Sequence, residues 1–376
     1  MMKKQVKKVL STMFVFLVII SIGFVLFAYG DEVNNTHLKC SKSGDFTILI
    51  VSDPQCDSKK QWQEAKDELE ILVKKSNPDF VVINGDMNSK NCIPADMWDI
   101  FISPLTKRGI YWSTTNGNHD PFKYEYYKMY KSYDKCLNST VSALDKNYDF
   151  TRPMNYVIPV YGNDGKKIVF AIYCMDSGQS GYYGYEGVTK RQAQWYTAQS
   201  NRLKELNKGV KVTSLMCMHI PFVQTLDMYY STNGAGNVSG EKCGDVYKTY
   251  GVANEPNFDY KSYVCENNTV LSKFKIHTTA AEYDVKMFDR ILNQGDVKAV
   301  IFGHDHRTNI IGSYKGVLLG FAGKISTGCY CDNLCRGGRV IRFNQTCPEK
   351  FTAEWIGSIE TSIDQPAIYS DATIAE

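Results

Sequence analysis

The chain has 376 residues, 43% apolar and 22% charged. These are ordinary proportions for a globular protein and exclude a wholly disordered or fibrous chain. Its net charge of +3 arises at one end, because Lys3, Lys4, Lys7 and Lys8 open the chain and the remainder holds 39 basic against 40 acidic residues. A body so near neutrality lacks the electrostatic footprint of a nucleic-acid binder, so no such partner is expected.

Residues 9–29 carry no charge and are rich in Val, Ile, Leu and Phe. About 20 apolar residues suffice to span a bilayer as a helix, whereas a secretory signal core is usually about 7–15 residues long. Ala28-Tyr29-Gly30 offers a small-residue cleavage site, so residues 1–30 fit either a signal anchor behind a basic cytoplasmic segment or a cleaved signal peptide. The lysines ahead of the segment keep the N-terminus cytoplasmic in either case. The remainder is expected to be lumenal or extracellular, as a single-pass type II membrane protein or a secreted one. Twelve cysteines agree with an oxidising compartment. So do glycosylation sequons at Asn34, Asn138, Asn237, Asn267 and Asn344, which make N-glycans an expectation.

Residues 31–44 read as a polar stalk, and a globular domain is expected over 45–358. Within it, apolar runs at 46–51, 80–84 and 110–115 predict buried strands, separated by helical patterns at 61–75 and 94–107. Asn77-Pro78 marks the end of the first helix. This βαβ alternation argues for a largely parallel sheet with helices on its outer faces. A Tyr- and Lys-rich helical stretch is expected over 121–133, followed by strands at 156–160 and 168–175. Residues 189–208 form a helix capped by Thr189, with Gly209 just past its end.

Beyond the strand at 212–218, residues 222–278 show little periodicity, and a connection that long is usually functional or disordered. It is expected to border the mouth of any site at the strand ends. A helix is expected over 279–293, with Thr279 or Thr278 capping and Glu282 placed for a capping box. Strands follow at 299–302, 310–314, 317–322 and 340–343, the last three expected to be antiparallel, and 359–376 reads as a polar, frayed tail. Cys329, Cys331 and Cys335 lack zinc-type spacing. With Cys347 they are expected to staple the C-terminal loops, while Cys243 and Cys265 would close the long insertion. Cys174 and Cys217 sit in apolar strands as buried thiols.

Four of the six histidines fall in cassettes that close these apolar runs: Asp53-Pro-Gln55, Gly85-Asp86, Gly117-Asn118-His119-Asp120, His219-Ile-Pro221 and Gly303-His304-Asp305-His306. Ligands of open α/β sheets bind beyond the carboxyl ends of the strands, so five such endings bring carboxylates, amides and imidazoles to one rim. Oxygen and imidazole donors without thiolates suit Mn, Fe or Zn better than a structural Cys-type zinc site. Asp53 and Gln55, like His304 and His306, alternate about one residue and so can share a strand face. Asp86, alone at the end of the most continuous buried strand, is the candidate bridge between two cations.

The order and spacing of the five cassettes resemble the calcineurin-like metallophosphoesterase superfamily, from Asp53 to His306. The stretches Met175-Asp-Ser-Gly178, Tyr185-Glu-Gly187 and His219-Ile-Pro-Phe222 look most like the branch related to purple acid phosphatases. That resemblance implies a four-layer αββα sandwich of the α/β class, with a dinuclear centre at the C-terminal strand ends. Asp53, Gln55, Asp86 and His306 would hold the first metal, and Asp86, Asn118, His219 and His304 the second. His119 would contact the phosphoryl group or protonate the departing oxygen, and hydroxide activated by the cations would attack phosphorus. Asp120 and Asp305 would orient their neighbours.

The implied activity is a phosphomonoesterase acting on a small-molecule or lipid-headgroup phosphoester. A phosphodiesterase (sphingomyelinase-like or nucleotide) and a noncatalytic scaffold are the alternatives. Two positions depart from the family pattern. Gln55 stands where the family has His, a weaker donor for zinc or iron that favours Mn or Mg. Ser89 stands where purple enzymes have the ferric-ligating Tyr, so no purple chromophore is expected.

Overall fold

The structure, a computed structural model, describes residues 38–87, 89, 95–120, 155–181, 184–185, 187–225, 228, 249–250, 286–362 and 364–371. The uncharged stretch 9–29, the sequons before Asn344, the helical stretch at 121–133, and Cys243 and Cys265 lie outside these residues. Among the described residues no helix is long and apolar enough to cross a membrane.

In chain order the first elements are β1 (Leu38–Lys39), β2 (Asp45–Val51), α1 (Lys59–Ser76), β3 (Phe80–Asn84), α2 (Ala95–Thr106) and β4 (Tyr111–Thr115). Next come β5 (Tyr156–Tyr161), β6 (Ile168–Met175), β7 (Ser180–Gly181), β8 (Gly184–Tyr185), α3 (Lys190–Leu206) and β9 (Thr213–Met218). Then follow β10 (Thr249–Tyr250), α4 (Met287–Gln294), β11 (Val297–Phe302), β12 (Ile311–Tyr314) and β13 (Val317–Phe321). The last strands are β14 (Gly337–Asn344), β15 (Thr352–Gly357) and β16 (Gln365–Tyr369).

These strands form two large sheets. One has the order β16-β15-β14-β2-β3-β4, the other β1-β5-β6-β9-β11-β13-β12-β10. β2, β3 and β4 are parallel to one another, as are β6, β9, β11 and β13. β14 runs antiparallel to β2 and β12 antiparallel to β13. Of the three late strands expected to be antiparallel, β13 departs on one side, since it also extends the parallel run from β11.

Alternation along the strands of the second sheet separates its two faces. Phe170, Ile172, Cys174, Leu215, Cys217 and Ile301 join the core that also contains β2, β3, α1 and α2. Tyr173, Met175, Met216, Met218, Val300 and Phe302 join a second core with Tyr196 of α3 and Phe288 of α4. Such two-sided burial, at roughly 1.5–3 kcal/mol per large apolar side chain, produces the expected four layers, helix–sheet–sheet–helix.

The helix ends follow their local signals. Ser58 Oγ accepts from Gln61 N at 3.3 Å, and left-handed Asn77 closes α1 by donating its N–H to Val73 O. Thr189 and Gln192 form a reciprocal capping box on α3. The helix expected over 279–293 is seen as Met287–Gln294 after an uncapped Lys286, and its expected capping box lies outside the described residues.

Both termini of the domain reach further than expected. Leu38–Lys39, read as stalk, pairs in parallel with β5, and Gln365–Tyr369, read as frayed tail, pairs with β15. Backbone pairing at sheet edges overrides their polar composition. Cys174 and Cys217 are buried free thiols, side by side in register. Cys329, Cys331 and Cys347 are also free, so the staple expected between them is not formed.

Candidate metal centre

All five cassettes meet where the two sheets come together at their C-terminal ends. β2, β3 and β4 of one sheet lead into Asp53, Asp86 and Asn118, while β9 and β11 of the other lead into His219 and His304–His306. Asn84 joins the sheets beneath them. Its Nδ2 donates to Met218 O and to Ile301 O, both at 3.0 Å.

The ligand side chains are not presented by strand alternation. Asp53, Gln55, Asp86 and His304 all have left-handed backbones, with φ of 55°, 40°, 51° and 75°. A non-glycine residue in that region costs on the order of 1–3 kcal/mol and concentrates at functional sites. The coiled loop is fixed by main-chain bonds from Asp53 N to Gly85 O (3.1 Å) and from Gln55 N to Asp86 O (3.0 Å). Two glycines let the loops close on one another. A Cβ on Gly117 would sit 2.1 Å from Asp86 Oδ1, and one on Gly303 would sit 2.0 Å from Ser52 Oγ.

One ligand atom each from Asp53, Asp86 and His219 lies within 4.8 Å of the others, and all three residues are buried. His219 Nδ1 lies 2.9 Å from Asn84 O. A carbonyl only accepts, so Nδ1 carries a proton and Nε2 is the nitrogen turned inward, offering a lone pair whenever the ring is neutral. That Nε2 faces Asp86 Oδ2 at 3.2 Å and Asp53 Oδ1 at 3.8 Å. His306 repeats the arrangement: Nδ1 donates to Tyr330 O at 2.9 Å, and Nε2 faces Asp53 Oδ1 at 3.3 Å. His304 Nδ1 and Asn118 Oδ1 lie 2.8 Å apart, and His304 N donates to Asp53 Oδ2 at 3.0 Å.

Gln55 Nε2 donates to Asp86 Oδ2 at 2.8 Å, which leaves Gln55 Oε1 free. Oε1 of Gln55, Oδ1 of Asp53 and Nε2 of His219 are buried with no hydrogen-bond partner among the described residues. Unpaired buried polar atoms are costly, and lone pairs of imidazole and carboxylate facing each other repel unless positive charge lies between them. The donor set therefore fits a cation at Asp53, Asp86 and His219, with Gln55 and His306 against the carboxylates and His304 paired with Asn118.

Protonation tells the same story. Burial opposes a charge on His219, but Asp86 and Asp53 outweigh it and raise its pKa to about 10. Burial also opposes ionisation of Asp53, yet His219 and His306 hold its carboxyl well below the usual range. His304, buried and beside a charged His219, is lowered to about 3. Without metal, protons supply the positive charge that the carboxylates demand.

His119 is exposed at the rim, and its backbone N donates to Asp86 Oδ1 at 2.8 Å. Asp120 orients its neighbours as expected, accepting from the backbone N of Asp86, Met87 and Gly117 at 2.8, 3.0 and 2.8 Å. Asp305 is buried between the two histidines. Tyr185 meets His304 edge-on, with ring centroids 4.3 Å apart. Tyr182, Tyr183, His37 and His277 lie outside the described residues.

Sequence reasoning missed three residues of the site. Asn84 carries the sheet junction. Tyr330 grips His306 through its carbonyl and stacks on its ring at 4.2 Å. Lys324 is fully buried and donates from Nζ to Asp53 O at 2.7 Å.

Comparison with known proteins agrees with this geometry. The calcineurin-like phosphoesterase family profile matches residues 46–308. The chain belongs to that family. Among its relatives are two Arabidopsis thaliana proteins named probable inactive purple acid phosphatases 14 and 29. They are 22% and 24% identical over 355 and 332 residues, covering 85% and 78% of this chain and 79% and 75% of theirs. These place the chain in the branch related to purple acid phosphatases. The fold is also similar to that of a dimetal phosphatase from Danio rerio, with a TM-score of 0.50 and 11% identity, covering 87% of this chain and 99% of that one. The chain thus carries a phosphoester hydrolase domain.

Proposed function

We propose that this metallophosphoesterase hydrolyses phosphomonoesters of small molecules or lipid headgroups, outside the cytosol. The supporting observation is the convergence of unpaired donors from Asp53, Gln55 and His219 beside Asp86, with His306 facing Asp53 and His304 paired with Asn118. A cation pair there would polarise a phosphoryl oxygen and lower the pKa of water. Mn, Zn and Fe all suit the donors.

The chain's own residues supply the rest. Asp53 and Asp86 provide negative charge to both halves of the site, and the Asn84 and Tyr330 carbonyls fix the imidazole tautomers. His119, exposed at the rim, offers a proton to the departing oxygen. Placement outside the cytosol, membrane attachment or secretion, and N-glycans all rest on the uncharged segment 9–29, the cysteines and the sequons. The 222–278 insertion, following His219, would border the mouth and shape substrate choice.

A noncatalytic role is the second reading, favoured by Gln55 and by the word "inactive" in the relatives' names. Turnover of p-nitrophenyl phosphate over bis-p-nitrophenyl phosphate by the purified chain, with Mn or Zn added, is the expected result. Faster turnover of the diester would make it a phosphodiesterase. Turnover of neither, with metal content unchanged by His304→Ala, would leave the noncatalytic role.

A further inference from the structure

Lys324 follows β13 with its whole side chain buried. Its main chain is locked, with N–H donating to Cys335 O at 2.8 Å and Gly337 N donating back to Lys324 O at 2.9 Å. Nζ finds one acceptor among the described residues, the carbonyl of Asp53. The charged and titratable groups around it are Asp53, His306, Cys56, Cys329 and Cys331. The ammonium therefore sits under the donors expected for the first cation. Burial lowers the Lys324 pKa while Asp53 opposes that shift. Like charges in a poorly screened interior repel strongly, so a cation placed between Asp53 and His306 meets the protonated lysine as a like charge.

Gln55 weakens the same half. It replaces an imidazole with an amide, and its Nε2 turns a donor hydrogen onto Asp86 Oδ2 at 2.8 Å. That oxygen also faces His219 Nε2 at 3.2 Å, so the hydrogen bond bears on the shared carboxylate, and what is confined to this half is the amide in place of an imidazole together with Lys324. Among the described residues, no lysine or arginine hydrogen-bonds to Asn118, His219 or His304; His219 faces Asn84 O and the Asp86 and Asp53 carboxylates, and His304 pairs with Asn118.

We infer that the centre is deliberately unequal. Asp86, Asn118, His219 and His304 retain one cation tightly. Lys324 and Gln55 keep a second cation, at Asp53, Asp86 and His306, weak and exchangeable, so that its occupancy follows the free metal concentration. The inference rests on the two-cation reading above. It makes Lys324 a residue that tunes affinity through charge rather than one that touches substrate. A purely structural clasp on Asp53 predicts the opposite sign, because removing it would loosen the loop and weaken metal binding.

The test is Mn²⁺ binding by the full chain, purified in detergent and stripped with chelator, followed by calorimetry and by elemental analysis after gel filtration. The wild type should retain one equivalent through the column and bind the second at least tenfold more weakly. Lys324→Met, which keeps length and removes charge, should tighten the second equivalent by about tenfold or more, since one unit charge in the interior is worth at least that factor. Gln55→His should also tighten it with Lys324 in place, which keeps the inference testable if Lys324→Met fails to fold. Two equally tight equivalents in the wild type would overturn it. So would a folded Lys324→Met with unchanged or weaker binding, or an unchanged second equivalent in Gln55→His. Two tight equivalents with phosphatase activity intact would leave the proposed function standing, whereas no Mn²⁺ binding at all would remove both.

Discussion

Asn84 is the residue whose loss should be felt most widely. Its side chain donates to Met218 O and Ile301 O, one residue before His219 and two before Gly303. Its carbonyl accepts from His219 Nδ1 and from Ser52 Oγ, both at 2.9 Å. In Asn84→Ala the carbonyl bonds to its own main chain survive, but two buried acceptors at the ends of β9 and β11 lose their donor. A buried group left unsatisfied costs roughly 1–3 kcal/mol, so the pair amounts to about 2–6 kcal/mol, a large part of the 5–15 kcal/mol that holds a typical domain. Urea unfolding followed by tryptophan fluorescence should show the midpoint falling with the slope unchanged. Mn²⁺ retention should fall with it, because β3, β9 and β11 no longer hold their ligands in one register. A loss below about 0.5 kcal/mol, within the range of an ordinary surface substitution, would refute the view that this side chain joins the sheets.

Two further outcomes follow from the same geometry. Gly117→Ala should remove bound metal, because the added Cβ would lie 2.1 Å from Asp86 Oδ1 and 2.5 Å from Asp86 N; elemental analysis showing wild-type metal content would contradict the packing described. The chelator-stripped chain should lose thermal stability as pH rises from about 6.5 to about 10. His219 binds its proton more tightly folded (about 10) than at its ordinary 6.5, so its contribution is complete below 6.5 and gone above 10. The Mn²⁺-loaded chain should show a much smaller fall across that window, and parallel melting curves for the two forms would sink the idea that protons stand in for cations.

How much of this centre could be read from the chain depends on the range over which each feature is encoded. Asp86, Asn118, His219, His304 and His306 close apolar runs, so a local pattern places them at strand ends; Asp86 and His219 join the Asp53 cluster, His306 faces Asp53, and His304 pairs with Asn118. The means by which Asp53 and Gln55 reach the cluster were not legible. Their one-residue alternation suggests a strand face, but β2 ends at Val51 and both residues turn left-handed, bound to Gly85 and Asp86 of the neighbouring loop. Nothing in the local sequence specifies that conformation.

Lys324 and Asn84 show the two ways a polar residue can hide. Asn84 ends an apolar strand and reads as the turn before Gly85, because its partners Met218 and Ile301 are more than a hundred residues away and belong to the other sheet. Lys324 does leave a trace: it lies between Ala322 and Ile325, both fully buried, where a solvated lysine would be out of place. A charge inside an apolar run must find a partner, and here the nearest one is the backbone of a ligand loop. The polar residues that depart from an apolar pattern are therefore where the two sheets meet, and where the balance of charge at the centre is set.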